Sequence, residues 1–203
     1  MKELKPWSQI QVSFLSNDHL NAIKKEILLL GELLDLNEDQ FSFHQTNDSF
    51  KFNDLENADV FIVHSLPIKD EALREKILER ITRQNLPCWI YNRAFDDFCH
   101  FLGSKVKKVT SGNISLTLTD EGKKDPVFSI MPDTFKVSDM HSACLGKEHP
   151  KSCEVLVLYD EHHPAVIKMK SRPVYVSAFH PKNHKEILMQ FFREYVGYLE
   201  YLA

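Results

Sequence analysis

The residues best suited to chemistry in this 203-residue chain are histidines at the ends of apolar runs. His180 follows VYVSAF and precedes Pro181; His64 follows DVFIV and precedes Ser65; His141 ends FKVSDMH. An imidazole at a strand end can give or take a proton near neutrality, although the same place suits a histidine held only by packing and hydrogen bonds. Two further patterns invite a metal reading: EHHP at 161–164, and the i, i+4 pair His180 and His184. Adjacent histidines in a turn usually point apart, and no Asp, Glu and His set has recognised ligand spacing, so a solvated turn is the expectation. Cys88, Cys99, Cys144 and Cys153 show no C-x-x-C spacing, which leaves neither a zinc ribbon nor a dithiol redox motif. Reduced, mostly packed thiols are expected, with no metal and no cofactor.

These groups must be positioned by the elements around them, and the first half of the chain alternates strand and helix. IQVSFLS (10–16) reads as a strand, and DHLNAIKKEILLLGELLDL as an amphipathic helix with Asp18 placed to cap it. FSFHQ (41–45) is a second strand, and DVFIVHS (59–65) has the β-branched density of a central parallel strand buried on both faces. KDEALREKILERITRQN (69–85) carries acids in its first turn and bases near its end, as the helix dipole favours. LPCWIYN supplies another strand, and AFDDFCHFLGSK a helix stopped at Gly103. This order predicts a doubly wound, mostly parallel sheet of the flavodoxin-like kind, with its ligand crevice beyond the carboxyl ends of the strands. In the second half, VKKVTSGNISLTLTDEG, FKVSDMH, CEVLVLYD, AVIKMKS and PVYVSAF are short strands separated by turns, an antiparallel extension. NHKEILMQFFREYVGYLEYL then reads as one closing helix.

Composition narrows the function classes. A hydrophobic content of 43% supports a substantial core, and residues 1–203 read as a single domain. The net charge of −4 and a pI near 6.2 give no basic field for nucleic acid. No apolar run approaches the ~20 residues of a membrane span, and MKELKPWSQ lacks the apolar segment of a secretory signal. A cytoplasmic protein is the expectation.

The ordered set TLTDEGKKDPVFSIMPDTFKVSDMH, CEVLVLYDEHHPAVIKM and PVYVSAFHPKNHKEILMQFF resembles the second half of the class I glutamine amidotransferases. With PCWIYNRAFDDFCHFLGSKV in place of the family's strand, nucleophile elbow and helix, the resemblance covers roughly residues 55 to 195. It implies a class I glutamine amidotransferase-like fold and a crevice built for hydrolysis of the glutamine amide. The family does this with a cysteine thiolate, a histidine base, a glutamate that orients the histidine, and backbone N–H groups that hold the oxyanion.

Carried over position by position, the resemblance keeps the histidine as His180 and changes its companions. Asn92 stands at the nucleophile position, and an amide cannot act as a thiolate. The elbow glycines become Ile90 and Ala94, which predicts a relaxed loop rather than a strained turn. Lys182 stands at the glutamate position and would repel an imidazolium. The oxyanion loop reads HSLP, of which only Pro67 has a family counterpart. None of the four cysteines fits a strand-to-helix turn, and Cys144 is the one thiol that could sit near the crevice.

The expectation is a degenerate site, a pseudoenzyme that binds a small polar ligand or a protein partner, such as a synthase, at the former glutaminase crevice. An active enzyme with altered hydrolase or transferase chemistry, using His180 as general base, is the alternative. His64, Ser65, Arg93 and His141, with Lys182, could give the crevice a basic lining for carboxylate or phosphate; equally, Lys182 and Arg93 could be solvated and Tyr91 or Phe179 could fill the space. Tyr198, Leu199, Tyr201 and Leu202 could leave an apolar edge for a homodimer.

Overall fold

A computed structural model describes residues 4–47, 50–67, 69–109, 112–138, 140, 142–144 and 151–198. Nine strands form the main sheet: β1 (Val12–Ser16), β2 (Phe41–Gln45), β3 (Val60–Val63), β4 (Cys88–Ile90), β5 (Ile114–Leu118), β6 (Thr134–Val137), β7 (Cys153–Asp160), β8 (His163–Met169) and β9 (Val174–Ser177). Their order is β2-β1-β3-β4-β9-β8-β7-β5-β6. The first five are parallel, in the winding of a flavodoxin-like sheet, and the remaining pairings are antiparallel.

Burial explains the pattern. Every residue of β1, β3, β4 and β9 is buried, as strands covered on both faces require. Beyond β7, by contrast, β5 and β6 alternate buried and exposed residues, with one wet face. Five helices accompany the sheet: α1 (Leu20–Leu34), α2 (Glu71–Arg83), α3 (Arg93–Phe101), α4 (Asp120–Lys124) and α5 (Lys185–Tyr195). The α2 start is held by Asp70, whose carboxylate accepts the Leu73 N–H at 2.8 Å. Trp89 on β4 stacks nearly flat on Tyr175 of β9, with ring centroids 5.7 Å apart, so aromatic packing locks the two central strands together. No helix among the described residues is long and apolar enough to cross a membrane.

Three expectations are corrected. Asp18 does not cap α1: the N-cap is His19, with no side-chain bond, and the Asp18 carboxylate turns to other partners. The VKKVTSGNISLTL stretch is not one strand, because Val106–Lys108 pairs with Ser142–Cys144 outside the main sheet. The closing helix ends at Tyr195, and Gly197–Tyr198 runs beside Lys5–Pro6. There a Cβ on Gly197 would lie 2.5 Å from the Lys5 carbonyl oxygen, so the pairing requires glycine. Leu199, Tyr201 and Leu202, proposed above for self-association, lie outside the described residues, as does His141.

Candidate functional site

The sheet order turns outward in both directions from β1 and β3, and their carboxyl ends lie beside those of β4 and β9. In a doubly wound sheet this is where a ligand crevice opens. The four ends deliver Ser16 and Asp18, His64 and Ser65, Tyr91 and Asn92, and His180.

Asn92 makes the turn from β4 into α3 with φ 56° and ψ −137°. The sharp strand-to-helix elbow is therefore present, against the relaxed loop expected from Ile90 and Ala94. Two neighbours over-determine it: the Tyr91 N–H donates to the Val63 carbonyl at 3.0 Å and the Ala94 N–H to the His64 carbonyl at 3.3 Å. Both tie the turn to β3 and its loop. Positive φ in a residue other than glycine is a local strain, of the kind that persists where surrounding bonds enforce it.

Two histidine–carboxylate pairs lie at these strand ends. In the first, His180 Nε2 lies 2.6 Å from Glu26 Oε1, and the Tyr91 hydroxyl donates to the same oxygen at 2.5 Å. The other His180 nitrogen, Nδ1, accepts the Lys182 backbone N–H at 2.9 Å. Nδ1 is thus unprotonated and the ring proton sits on Nε2, facing the carboxylate. Lys182 acts on His180 through its backbone N–H rather than as a repelling cation, and its side chain is exposed.

In the second pair, Asn92 Nδ2 lies 2.6 Å from His64 Nε2. An amide nitrogen only donates, so Nε2 accepts and the His64 proton resides on Nδ1. That edge faces Ser16 Oγ at 3.3 Å and Asp18 Oδ2 at 3.5 Å. Ser65 donates to Asp18 Oδ2 at 3.0 Å and lies 2.8 Å from the Ser16 hydroxyl, and Arg93 Nη2 binds Asp18 Oδ1 at 2.7 Å. The Tyr91 ring lies between the pairs, 5.4 Å from His64 and 5.2 Å from His180.

The electrostatics follow from these contacts. Burial works to raise the Glu26 carboxyl, but the hydrogen bonds from His180 and Tyr91 outweigh it and hold Glu26 below the usual carboxylate value. Burial likewise opposes ionisation of Asp18, and the bonds from Arg93 and Ser65 again prevail. His64 is pushed below the ordinary imidazole value by burial, against the pull of Glu26 and Asp18. The neutral His64 that the hydrogen bonds require is therefore also the form its surroundings favour. Burial first, then the Glu26 charge, pushes the Tyr91 hydroxyl well above its usual range.

Of the residues singled out in the sequence, His180, Asn92, His64, Ser65 and Arg93 meet at this crevice. The basic lining expected there is offset, because Arg93 is paired with Asp18 and His64 is neutral. Tyr91 and Phe179 are buried, Tyr91 between the two histidine rings and Phe179 edge-on to Phe135. His184 is held by Glu186 and the Lys136 carbonyl, and His163 by Asp160. Glu26 and Asp18 were missed. A signal for Glu26 existed: positions 23, 26, 27 and 30 share one helical face, and Ile23, Ile27 and Leu30 are its buried residues. Asp18 gave no signal beyond following a strand.

Three of the thiols stand apart from this chemistry. Cys88 opens β4, at the end away from the elbow, and burial pushes its thiol well above the ordinary value. Cys99 lies within α3 and Cys153 begins β7, both buried. Cys144 ends the short strand Ser142–Cys144.

No family model matches the sequence, and no curated protein does. Solved structures do match in fold. A GMP synthase subunit of Thermoplasma acidophilum superposes with a TM-score of 0.67 at 15% identity, over 90% of this chain and 92% of that one. The glutaminase domain of Trypanosoma brucei CTPS, with bound acivicin, gives 0.67 at 8% identity over 91% and 92%. A glutamine amidotransferase of Thermotoga maritima gives 0.62 at 10% identity over 92% and 82%. At such identities the likeness is one of architecture, and it agrees with the sheet order and elbow: this chain has the fold of the class I glutamine amidotransferases.

Proposed function

We propose that this chain is a noncatalytic protein on the class I glutamine amidotransferase fold, binding a small polar ligand or a protein partner at the crevice that in glutaminases performs the chemistry. The observation that carries this reading is Asn92 on the elbow. Its amide occupies the nucleophile's place, has no ionisable proton in the working range, and is bonded to His64 rather than to His180. His180 meanwhile commits both ring nitrogens, one to Glu26 and one to the Lys182 N–H. The Ala94 N–H at the start of the helix is also spent, on the His64 carbonyl.

An enzyme using His180 as general base would need a bare ring nitrogen facing its substrate. The only lone pair on that ring points at Lys182 N–H, so the geometry favours the noncatalytic reading. A synthase as partner is an analogy drawn from neighbours such as the GMP synthase protein of Thermoplasma acidophilum.

The test is ammonia release from glutamine by the purified protein, beside His180→Ala and Cys144→Ser. The expected result is no release above the His180→Ala background. Release abolished by either substitution would mean a working nucleophile and base, and would overturn the proposal.

A further inference from the structure

Taking the noncatalytic reading as its setting, we propose that the crevice receives its ligand through N–H donors on a small cationic group of the alkylammonium class, with Glu26 as charge partner and Asn92 Oδ1 as second acceptor. The charges lead there first. Asp18 is matched by Arg93, and both histidines are neutral by their hydrogen bonds, so the Glu26 carboxylate is the charge left without a cationic partner in the two clusters. Glu26 keeps 17% of its side-chain surface open, so a solute can reach it.

The hydrogen bonds then specify the ligand's polarity. Both donors to Glu26, the Tyr91 hydroxyl and His180 Nε2, meet Oε1. Among the described residues nothing donates to Oε2. Asn92 is arranged to the same effect. Asp18 and Ser16 keep the His64 proton on Nδ1, His64 Nε2 can then only accept, and the amide must turn Nδ2 toward it. Its carbonyl oxygen Oδ1 is left facing away, with no donor among the described residues. Acceptors at a part-buried site call for donors from a ligand or water. An ammonium group brings three such donors and the opposite charge, whereas a carboxylate would add a second anion beside Glu26. Asp18 and His64 are positioning residues in this account, because they act through the orientation of Asn92.

Methylammonium and acetate are nearly equal in size and opposite in charge, which makes them the discriminating probes. The experiment follows the Asn92 side-chain amide and the His180 ring by NMR during titration with methylammonium chloride and, separately, sodium acetate, at neutral pH and constant ionic strength. Saturable shifts are expected with methylammonium and none with acetate. Glu26→Gln should weaken methylammonium at least roughly tenfold, the loss of one charge-assisted bond. Asn92→Ala, which removes the Oδ1 acceptor, should also weaken it several-fold while the thermal midpoint stays near that of the parent. Saturable acetate binding, no saturation with methylammonium, or equal affinity in Glu26→Gln would overturn the proposal. Neither probe carries a hydrolysable amide, so this outcome stands apart from that of the glutamine assay.

Discussion

Two buried tyrosines, at opposite ends of neighbouring strands, each donate a hydrogen bond to a carboxylate, and the two carboxylates are treated differently. At the start of β9, Tyr175 donates to Asp125, which also receives Lys168 Nζ at 2.7 Å and the backbone N–H groups of Val127 and Phe128. Its side chain is 2% exposed, and both oxygens have partners within the protein. Beyond the end of β4, Tyr91 donates to Glu26, whose one bonded oxygen is shared with a neutral histidine. The first cluster balances its charge and closes on itself. The second leaves a charge and an oxygen facing a crevice. A buried ion pair completed by hydrogen bonds is a structural element, and a carboxylate held but not neutralised is a group arranged for something that arrives from outside.

Removing each carboxylate should separate the two clusters most widely. Asp125→Ala leaves Lys168 in a site where its side chain is only 15% exposed, and should cost about 3–5 kcal/mol by urea denaturation. Adding Lys168→Met should recover much of that loss. Glu26→Gln, which strands no charge, should cost no more than about 1–2 kcal/mol. Equal losses at the two positions would erase the distinction between a structural and an open cluster.

Titration separates them next. His64 has a folded-state pKa below its ordinary 6.5, so the unfolded chain binds more protons as pH falls through that value. Stability should therefore be complete above pH 6.5 and decline below it, with Asp18 and Glu26, both depressed, adding to the loss further down. Denaturation midpoints of His64→Gln measured across this range should lose the upper part of the decline. Lys168 shifts the other way: burial lowers it, but the Asp125 bond and charge prevail and raise it above 10.5, so its contribution is present below that pH and lost as the solution becomes more alkaline. An acid decline unchanged in His64→Gln would place the buried neutral imidazole elsewhere.

The smallest effect is expected at the elbow itself. Asn92→Gly gives up the bond to His64 and relieves a positive φ, two changes that oppose one another. Its thermal midpoint should correspond to a change within about 1 kcal/mol of the parent. A loss several times larger would mean that the Asn92 side chain holds the crevice together.

Particular residues show where the sequence was legible. The buried VFIV run of β3, the charge-graded α2 and the antiparallel second half could be read because period and propensity agree with burial there. The elbow was misread because its strain is imposed by bonds from Tyr91 and Ala94 to β3 and the residue after it, contacts that no local rule records. The tail was misread because a helix-like pattern runs past Tyr195, while close packing at Gly197 turns the chain into a strand. Asn92, His180 and His64 were visible as types at strand ends, but their roles depend on Glu26 and Asp18, which come from 154 and 46 positions away along the chain. Pairing across such separations is decided by topology.

The two histidines keep their protons on opposite ring nitrogens, and long-range ¹⁵N–¹H correlation of the imidazoles at neutral pH reads this directly. His180 should be protonated on Nε2 and His64 on Nδ1. The same tautomer on both rings, or a doubly protonated His64, would contradict the assignment of one histidine to Glu26 and the other to the elbow amide.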